Sequence, residues 1–481
     1  VDQSISRQLQ PIFRPRSVAV IGASAVPMKW GNDIILTMQQ DGFRGAIYPI
    51  NPKEKEILGL KVYPSVLHVP DPIDLAVIAL RTEQVPRALT ECVRKGIKGA
   101  VLISAGFAET GEKGRALQDE VTRIAREGGL RFVGPNCMGI FSAAADLNLS
   151  LPPGVPKGSV AFISQSGTFG GIFSREAARR GLGLSCFISA GNQADLDLAD
   201  YLDYLAEDPL TQVVVMYVEG LKQGRKLLTA GKALAGRKPV IVYKAGRNPS
   251  VARVTLSHTA SMAGEDRVFD AVCRQAGFIR VDELFGLLDA ASALSREPLP
   301  RGKRMGILGT GGLCVVLADT CVSLGLEVPE LTRKDMEFIV SDIAFPPHAP
   351  APINPVDFAG ANRTALEEAK VLNRLAQLDV VDGLISNTPL TFADTSGQSA
   401  EEQEKLFSAA ARLLAEITQT FKKPLITVGL GDLVPSHEGL EKAMQAAGIV
   451  SYASPEAAVK AMAALVRYAE IRRRFAEEKG K

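Results

Sequence analysis

The feature that most constrains this chain is a repeated order along its 481 residues: a short apolar run, a glycine-bearing turn, then a helix-length segment. Strands delivered this way are buried most simply in parallel sheets with helices on both faces. Ser17-Val-Ala-Val-Ile21 opens a first series, with a helix over Asp33–Gln40 behind it. Gly45–Ile50, Leu75–Leu80, Gly99–Ile103 and Leu130–Val133 continue it as strands. The Pro- and Gly-rich stretch Leu149–Gly158 reads as a linker. A second series runs through Ser159–Ile163, Leu184–Ser189, Val213–Val218 and Val240–Tyr243. After a break at Arg296–Lys303, a third has strands at Arg304–Leu308, Gly383–Ser386 and Pro424–Val428, and a helix over Glu401–Thr418. The spacing predicts α/β domains over 1–148, 159–295 and 303–466, then a charged C-terminal helix over 467–481 that frays.

Composition removes several classes of function. Lys plus Arg total 55 against 53 Asp plus Glu, a net charge of +2, which gives no field for non-specific nucleic-acid binding. Apolar runs such as Leu75–Leu80 fall far short of the ~18 residues that span a bilayer. The opening Val-Asp-Gln-Ser-Ile-Ser is not a secretory leader. Six cysteines without a CxxC argue against a disulfide framework or a structural metal site. A cytoplasmic protein with no nucleic-acid, membrane or metal partner of its own is expected.

Each series opens on a turn whose backbone N–H groups and helix N-terminus suit an anion. The first, Ile21-Gly22-Ala23-Ser24 through Lys29 to Gly31, lacks GxGxxG spacing. Where an acidic residue would hold a ribose diol, the chain has Asn51-Pro52-Lys53. A lysine there suits a ribose with an extra phosphate, as in NADP or the 3′-phospho-ADP of coenzyme A. The second turn, Ser164-Gln165-Ser166-Gly167-Thr168, sets hydroxyl and amide groups beside glycine; the third, Leu308–Leu313, is more apolar.

Of four histidines, His68, His348 and His437 sit in settings that suit loop or helix-start residues. His258 lies in the hydroxyl-rich Thr255–Gly264, a setting for an imidazole that accepts a phosphoryl group. Glu219 ends the strand Val213–Val218, at the sheet edge where active sites collect, and is a candidate to orient that imidazole.

Together the motifs resemble the α subunit of NDP-forming acyl-CoA synthetases, the ADP-forming acetate–CoA ligase type within the succinyl-CoA synthetase superfamily. The markers are Val20-Ile-Gly-Ala-Ser24, Asn51-Pro-Lys53, Ser104-Ala-Gly-Phe-Ala-Glu109, Gly134-Pro-Asn-Cys-Met-Gly139 and Ser164-Gln-Ser-Gly167. Gly191-Asn-Gln-Ala-Asp195, Tyr217-Val-Glu-Gly220, Ser257-His-Thr259 with Ala263-Gly264, and Asn354-Pro-Val-Asp357 complete the series. The resemblance implies a Rossmann-like CoA-binding domain followed by two flavodoxin-like, succinyl-CoA synthetase-type domains. It implies that Gly22, Ala23, Ser24, Lys29, Asn51, Lys53, Ser104, Ala105, Gly106, Glu109, Asn136 and Cys137 bind CoA, and that Ser164, Gln165, Ser166 and Gly167 bind phosphate. His258 would be the phosphorylated nucleophile and Glu219 its orienting carboxylate.

The implied reaction interconverts acyl-CoA, ADP and phosphate with carboxylic acid, CoA and ATP, through acyl phosphate and phosphohistidine. Nothing in the sequence resembles the ATP-grasp nucleotide domain of the superfamily. ATP or ADP with Mg²⁺ is therefore expected on a partner β subunit, in an α2β2 assembly. Where the family usually has glycine after Ser-His-Thr, this chain has Ala260. That methyl group favours an alternative, a CoA- or acyl-CoA-binding regulator without phosphoryl transfer. An NADP-dependent oxidoreductase built on the first domain would leave His258 and Glu219 unexplained.

Overall fold

The computed structural model describes residues 4–248, 266–359, 363–387, 398–429 and 438–480. His258, Ala260 and His437 lie outside the described residues. The chain divides into two compact units, Val1–Asp282 and Glu283–Lys481.

The first unit holds two sheets. Its first series is α1 (Ile5–Phe13), β1 (Ser17–Ile21), α2 (Trp30–Gln40), β2 (Ala46–Ile50), the hairpin β3 (Glu56–Ile57) and β4 (Leu60–Lys61), β5 (Leu75–Ile78), α3 (Val85–Lys95), β6 (Gly99–Leu102), α4 (Glu112–Glu127) and β7 (Arg131–Val133). The parallel sheet has the order β2-β1-β5-β6-β7. β1, β5 and β6 are buried at every residue, which is why they read as unbroken apolar runs. The order reverses between β1 and β5, and ligands of open α/β sheets bind outside the carboxyl ends at such a point.

The second series is β8 (Ile140–Ser142), β9 (Leu147–Asn148), β10 (Lys157–Ser164), α5 (Gly167–Arg179), β11 (Leu184–Ser189), α6 (Leu198–Glu207), β12 (Val213–Val218), α7 (Gly224–Ala235), β13 (Val240–Lys244), α8 (Asp266–Ala276) and β14 (Ile279–Val281). Its sheet is ordered β14-β13-β12-β10-β11-β8-β9, so the switch point lies between β10 and β12. β8 and β9 are antiparallel additions at the edge. They differ from the expectation that residues up to 148 belong to the first domain, and β10 begins inside the stretch read as a linker. Strands of two or three residues are too short to leave a periodic signal. One hydrophobic core runs from Val18 and Val20 through Leu9, Phe13, Tyr201 and Leu205 to Ala161 and Ile163, so both sheets share it. Phe13 stacks on Tyr204 at 4.4 Å within it.

The second unit comprises α9 (Gly286–Arg296), β15 (Met305–Gly309), α10 (Gly312–Ser323), α11 (Arg333–Ile339), β16 (Val356–Asp357), α12 (Ala365–Gln377), β17 (Gly383–Ser386), α13 (Ala400–Glu416), β18 (Leu425–Val428), α14 (Glu438–Ala446), β19 (Ser451–Tyr452) and α15 (Pro455–Lys479). Its parallel sheet runs β16-β15-β17-β18-β19. Setting β8, β9 and the small hairpin aside, all three sheets follow the flavodoxin-like order 2-1-3-4-5. The charged C-terminal stretch is not a separate, fraying helix. It is the second half of α15, and Tyr468, Ile471 and Phe475 bury one stripe of it between the charges. Among the described residues no helix is long and apolar enough to cross a membrane.

Candidate active site

The first cleft sits at the switch point of the first sheet. Gly22 follows β1 with φ +96°, and a Cβ there would lie 2.3 Å from the Ala79 carbonyl oxygen. Only glycine lets this turn close against the end of β5. Asn51 Nδ2 donates to the Ala23 carbonyl at 2.8 Å, and its Oδ1 accepts from the Lys53 N–H at 2.8 Å. Asn51 therefore shapes the loop, leaving Lys53 exposed at a cavity of about 580 Å³ also lined by Gly22, Leu80 and Arg87. Lys29 is exposed at the N-cap of α2, and Ser24 Oγ accepts from the Val26 N–H at 3.1 Å.

Two residues assigned to CoA by their motif face inward instead. The buried Ser104 hydroxyl donates to the Leu80 carbonyl at 2.7 Å and accepts from the Leu80 N–H at 3.1 Å, tying β6 to β5. Glu109 Oε1 accepts from the N–H groups of Gly106 and Phe107, at 2.6 and 3.1 Å, while Oε2 accepts from Asn192 Nδ2 at 2.5 Å. These side chains hold the Ala105–Gly106 turn in place. The resemblance implied ligand contacts for them, and in this structure their hydrogen bonds go to the protein.

A second cavity, of about 360 Å³, is lined by Ala105, Asn136 and Cys137 from the CoA set, by Gln165 and Gly167 from the phosphate set, and by Thr168. Asn136 N–H donates to the Ser104 carbonyl at 2.9 Å, and Asn136 Nδ2 to Asn192 Oδ1 at 3.3 Å. The Cys137 thiol is buried and donates to the Leu102 carbonyl at 3.3 Å; burial pushes it up to about 12. Burial and a raised thiol both disfavour a nucleophilic role for this cysteine. Opposite, α5 begins at Gly167. Ser166 caps it, accepting from the Phe169 N–H at 3.5 Å. Buried Ser164 braces that cap, donating to the Ser166 carbonyl at 2.6 Å and accepting from its N–H at 3.2 Å. The helix thus presents its positive end beside Cys137 and Asn136. A Cβ on Gly167 would come within 2.5 Å of Met138 Cγ, so the two loops lie against each other.

Glu219 follows β12 directly, as its sequence position suggested, and is 4% exposed. Gln165 Oε1 accepts from the N–H groups of both Glu219 and Gly220, the latter at 3.0 Å. Gln165 Nε2 donates to the Gly220 carbonyl at 2.9 Å. Gln165 was expected among the phosphate ligands; its amide is committed to the Glu219 backbone instead. Lys244, at the end of β13, donates from Nζ to the Glu219 carbonyl at 2.8 Å and to Ala245 at 2.5 Å. Burial holds this ammonium below the usual lysine range. The Tyr217 phenol is raised by burial first, then by the charge and hydrogen bond of Glu219. Tyr217 and Asn192 entered only as parts of family markers, without a role, and Lys244 was not singled out from the sequence. For Lys244 a signal existed: a charged residue closing the apolar run Val240–Tyr243. His258 belongs to the stretch between β13 and α8 and lies outside the described residues.

The sequence matches the CoA binding domain family over residues 16–143 and the succinyl-CoA ligase like flavodoxin domain family over residues 157–294. It is 36% identical to the α subunit of ADP-forming acetate–CoA ligase II of Pyrococcus furiosus, across 96% of this chain and 98% of that one. This chain belongs to the ADP-forming acetate–CoA ligase family. The motif-based resemblance and the fold it implied are borne out. Acetate–CoA ligase I of Archaeoglobus fulgidus, also ADP-forming, is 35% identical over 96% of this chain, which spans 64% of that longer relative. A solved relative, the dinucleotide-forming acetyl-coenzyme A synthetase 1 of Ca. Korarchaeum cryptofilum in complex with phosphate and ADP, is 33% identical. It superposes with a TM-score of 0.87 over 98% of both chains. Of the residues read as CoA-binding, Gly22, Asn51 and Lys53 line the first cavity and Ala105, Asn136 and Cys137 the second, which also reaches the start of α5.

Proposed function

We propose that the chain is the α subunit of a nucleoside-diphosphate-forming acyl-CoA synthetase, an acid–thiol ligase. The observation that carries this is the 360 Å³ cavity, in which Asn136 and Cys137 face the N-terminus of α5. In this reading CoA lies along the first sheet. Its 3′-phosphate meets Lys53, its pyrophosphate meets Lys29 and the Gly22–Ser24 turn, and its thiol end reaches Asn136 and Cys137. Inorganic phosphate sits on the N–H groups of Gly167 and Thr168, stabilised by the helix end.

A phosphate oxygen attacks the thioester carbonyl and expels the CoA thiolate, leaving an acyl phosphate. The same N–H groups oppose the negative charge that builds up in that step. A His258 ring nitrogen then attacks phosphorus, and the carboxylate leaves. Glu219 holds the other ring N–H, so that the attacking nitrogen keeps its lone pair. Phospho-His258 finally passes its phosphoryl group to ADP. In this reading ADP and Mg²⁺ belong to a partner β subunit, in an α2β2 assembly. The family's α-subunit members support a separate partner.

The test is to incubate the chain with ³²P-phosphate and a panel of short acyl-CoAs beside a His258→Ala variant. Acid-labile, base-stable label on the wild type alone is the expected result. No label with any acyl-CoA, even with a β subunit added, would refute phosphoryl transfer and leave a CoA-binding regulator.

A further inference from the structure

We infer that Lys244 and Gln165 form a buried bracket that positions Glu219, an inference that rests on Glu219 orienting the histidine. Neither side chain is a ligand of the substrate in this assignment; both act through the glutamate.

The geometry is specific to that residue. The peptide groups on both sides of the Glu219 Cα are pinned: its N–H by Gln165 Oε1 and its carbonyl by Lys244 Nζ at 2.8 Å. Gln165 also takes the N–H of that second peptide, from Gly220 at 3.0 Å, and holds the next peptide by donating to the Gly220 carbonyl at 2.9 Å. Lys244 also bonds the Ala245 carbonyl at 2.5 Å, so it joins the end of β12 to the end of β13, from which the chain continues toward His258. Gln165 lies in the turn between β10 and α5, so the loop beneath the phosphate position and the orienting carboxylate share one rigid connection.

Sheet formation alone does not require this. Lys244 and Gln165 are 1% and 3% exposed, and a buried ammonium is costly unless its hydrogen bonds are needed. Fixing a backbone on both sides of a functional side chain removes the small displacements that misalign a reacting group.

The experiment measures the single-turnover rate of ³²P incorporation from phosphate and acetyl-CoA. It compares Lys244→Met and Gln165→Met, each in the wild-type and the Glu219→Gln backgrounds. Gln165→Met preserves side-chain length and Lys244→Met shortens the side chain by one atom, and both remove the hydrogen bonds. In the wild-type background each should slow incorporation about 10- to 100-fold, with the dissociation constant for CoA unchanged. In the Glu219→Gln background the further loss should stay within about twofold, because the residue acted upon has gone. Equal losses in both backgrounds, or no loss in either, would overturn the bracket. If one substitution prevents folding, the other carries the comparison. If the wild type takes up no label with any acyl-CoA of the panel, even with a β subunit added, the functional reading fails separately. Crystal structures of the two variants then decide the bracket, since an unmoved Glu219 carboxylate would overturn it.

Discussion

Replacing Gly22 by alanine tests whether the turn after β1 is set by steric closure as described. Two costs arise. A φ of +96° is unfavourable for alanine, worth about 1–2 kcal/mol. The new methyl would also sit 2.3 Å from the Ala79 oxygen and 2.9 Å from its carbonyl carbon. That backbone cannot retreat freely, because the Ala79 N–H is bonded to the Ile21 carbonyl at 2.9 Å. Overpacking against backbone adds about 1–3 kcal/mol. Gly42, just past α2, is a matched control: its φ is +77°, but a Cβ there meets nothing within 4 Å. Gly42→Ala should therefore cost only the conformational share, about 1–2 kcal/mol. Trp30 is the sole tryptophan and precedes Gly31, which packs on the Gly22 carbonyl, so its fluorescence in urea reports this unit. At an m-value of about 3 kcal/mol per M, a gap of about 2 kcal/mol puts the Gly22→Ala midpoint roughly 0.7 M below that of Gly42→Ala. Coincident midpoints for the two variants would refute the steric account.

Two further outcomes follow from buried titratable groups. With its thiol pushed up to about 12, Cys137 should resist iodoacetamide at pH 8 in the folded protein, read by peptide mass spectrometry. Cys137→Ala should keep acyl transfer within about threefold, and rapid labelling with loss of activity would refute the packing role. In the second unit, burial pushes the Glu297 carboxyl from 4.5 up to about 7, against the opposing pull of the Leu425 N–H and Arg296. Between those values the folded state holds more protons than the unfolded one, so stability falls as pH rises through this window. Glu297→Gln retains an acceptor for the Leu425 N–H, bonded at 3.0 Å, and should stabilise the unit by about 1–3 kcal/mol above pH 7 but not below 4.5. Melting curves showing no greater gain at pH 8 than at pH 4 would contradict this.

The strands that were legible in the sequence are those buried on both faces. Ser17–Ile21, Leu184–Ser189, Val213–Val218 and Gly383–Ser386 coincide with their observed limits, because an interior strand reads as a mostly apolar run in which only small polar residues such as serine are admitted. β8, β9, β16 and β19 were missed, since two or three residues stabilised by pairing leave no pattern of their own. Tyr468, Ile471 and Phe475 were masked by the charges around them. The site was legible where position suffices: Gly22 and Glu219 follow strands at switch points. It was not legible where side-chain direction decides. Ser104, Glu109 and Gln165 have the chemistry of ligands, yet their partners are backbone groups and Asn192, and only the folded geometry reveals which way they turn.

The strand pair β8–β9 also bears on how such a protein can be cut and recombined. Only residues 134–139 separate the last strand of the first sheet from β8, already part of the second. The residues that line the shared cavity, Asn136 and Cys137, are therefore themselves the joint. A chimera spliced at residue 148 would transplant two edge strands away from their sheet, and a splice nearer residue 134 would divide the pocket. Homologous exchange can replace both sheets together, but it has no neutral seam between them. An exchange that takes both sheets as one block is the one that leaves the cavity whole.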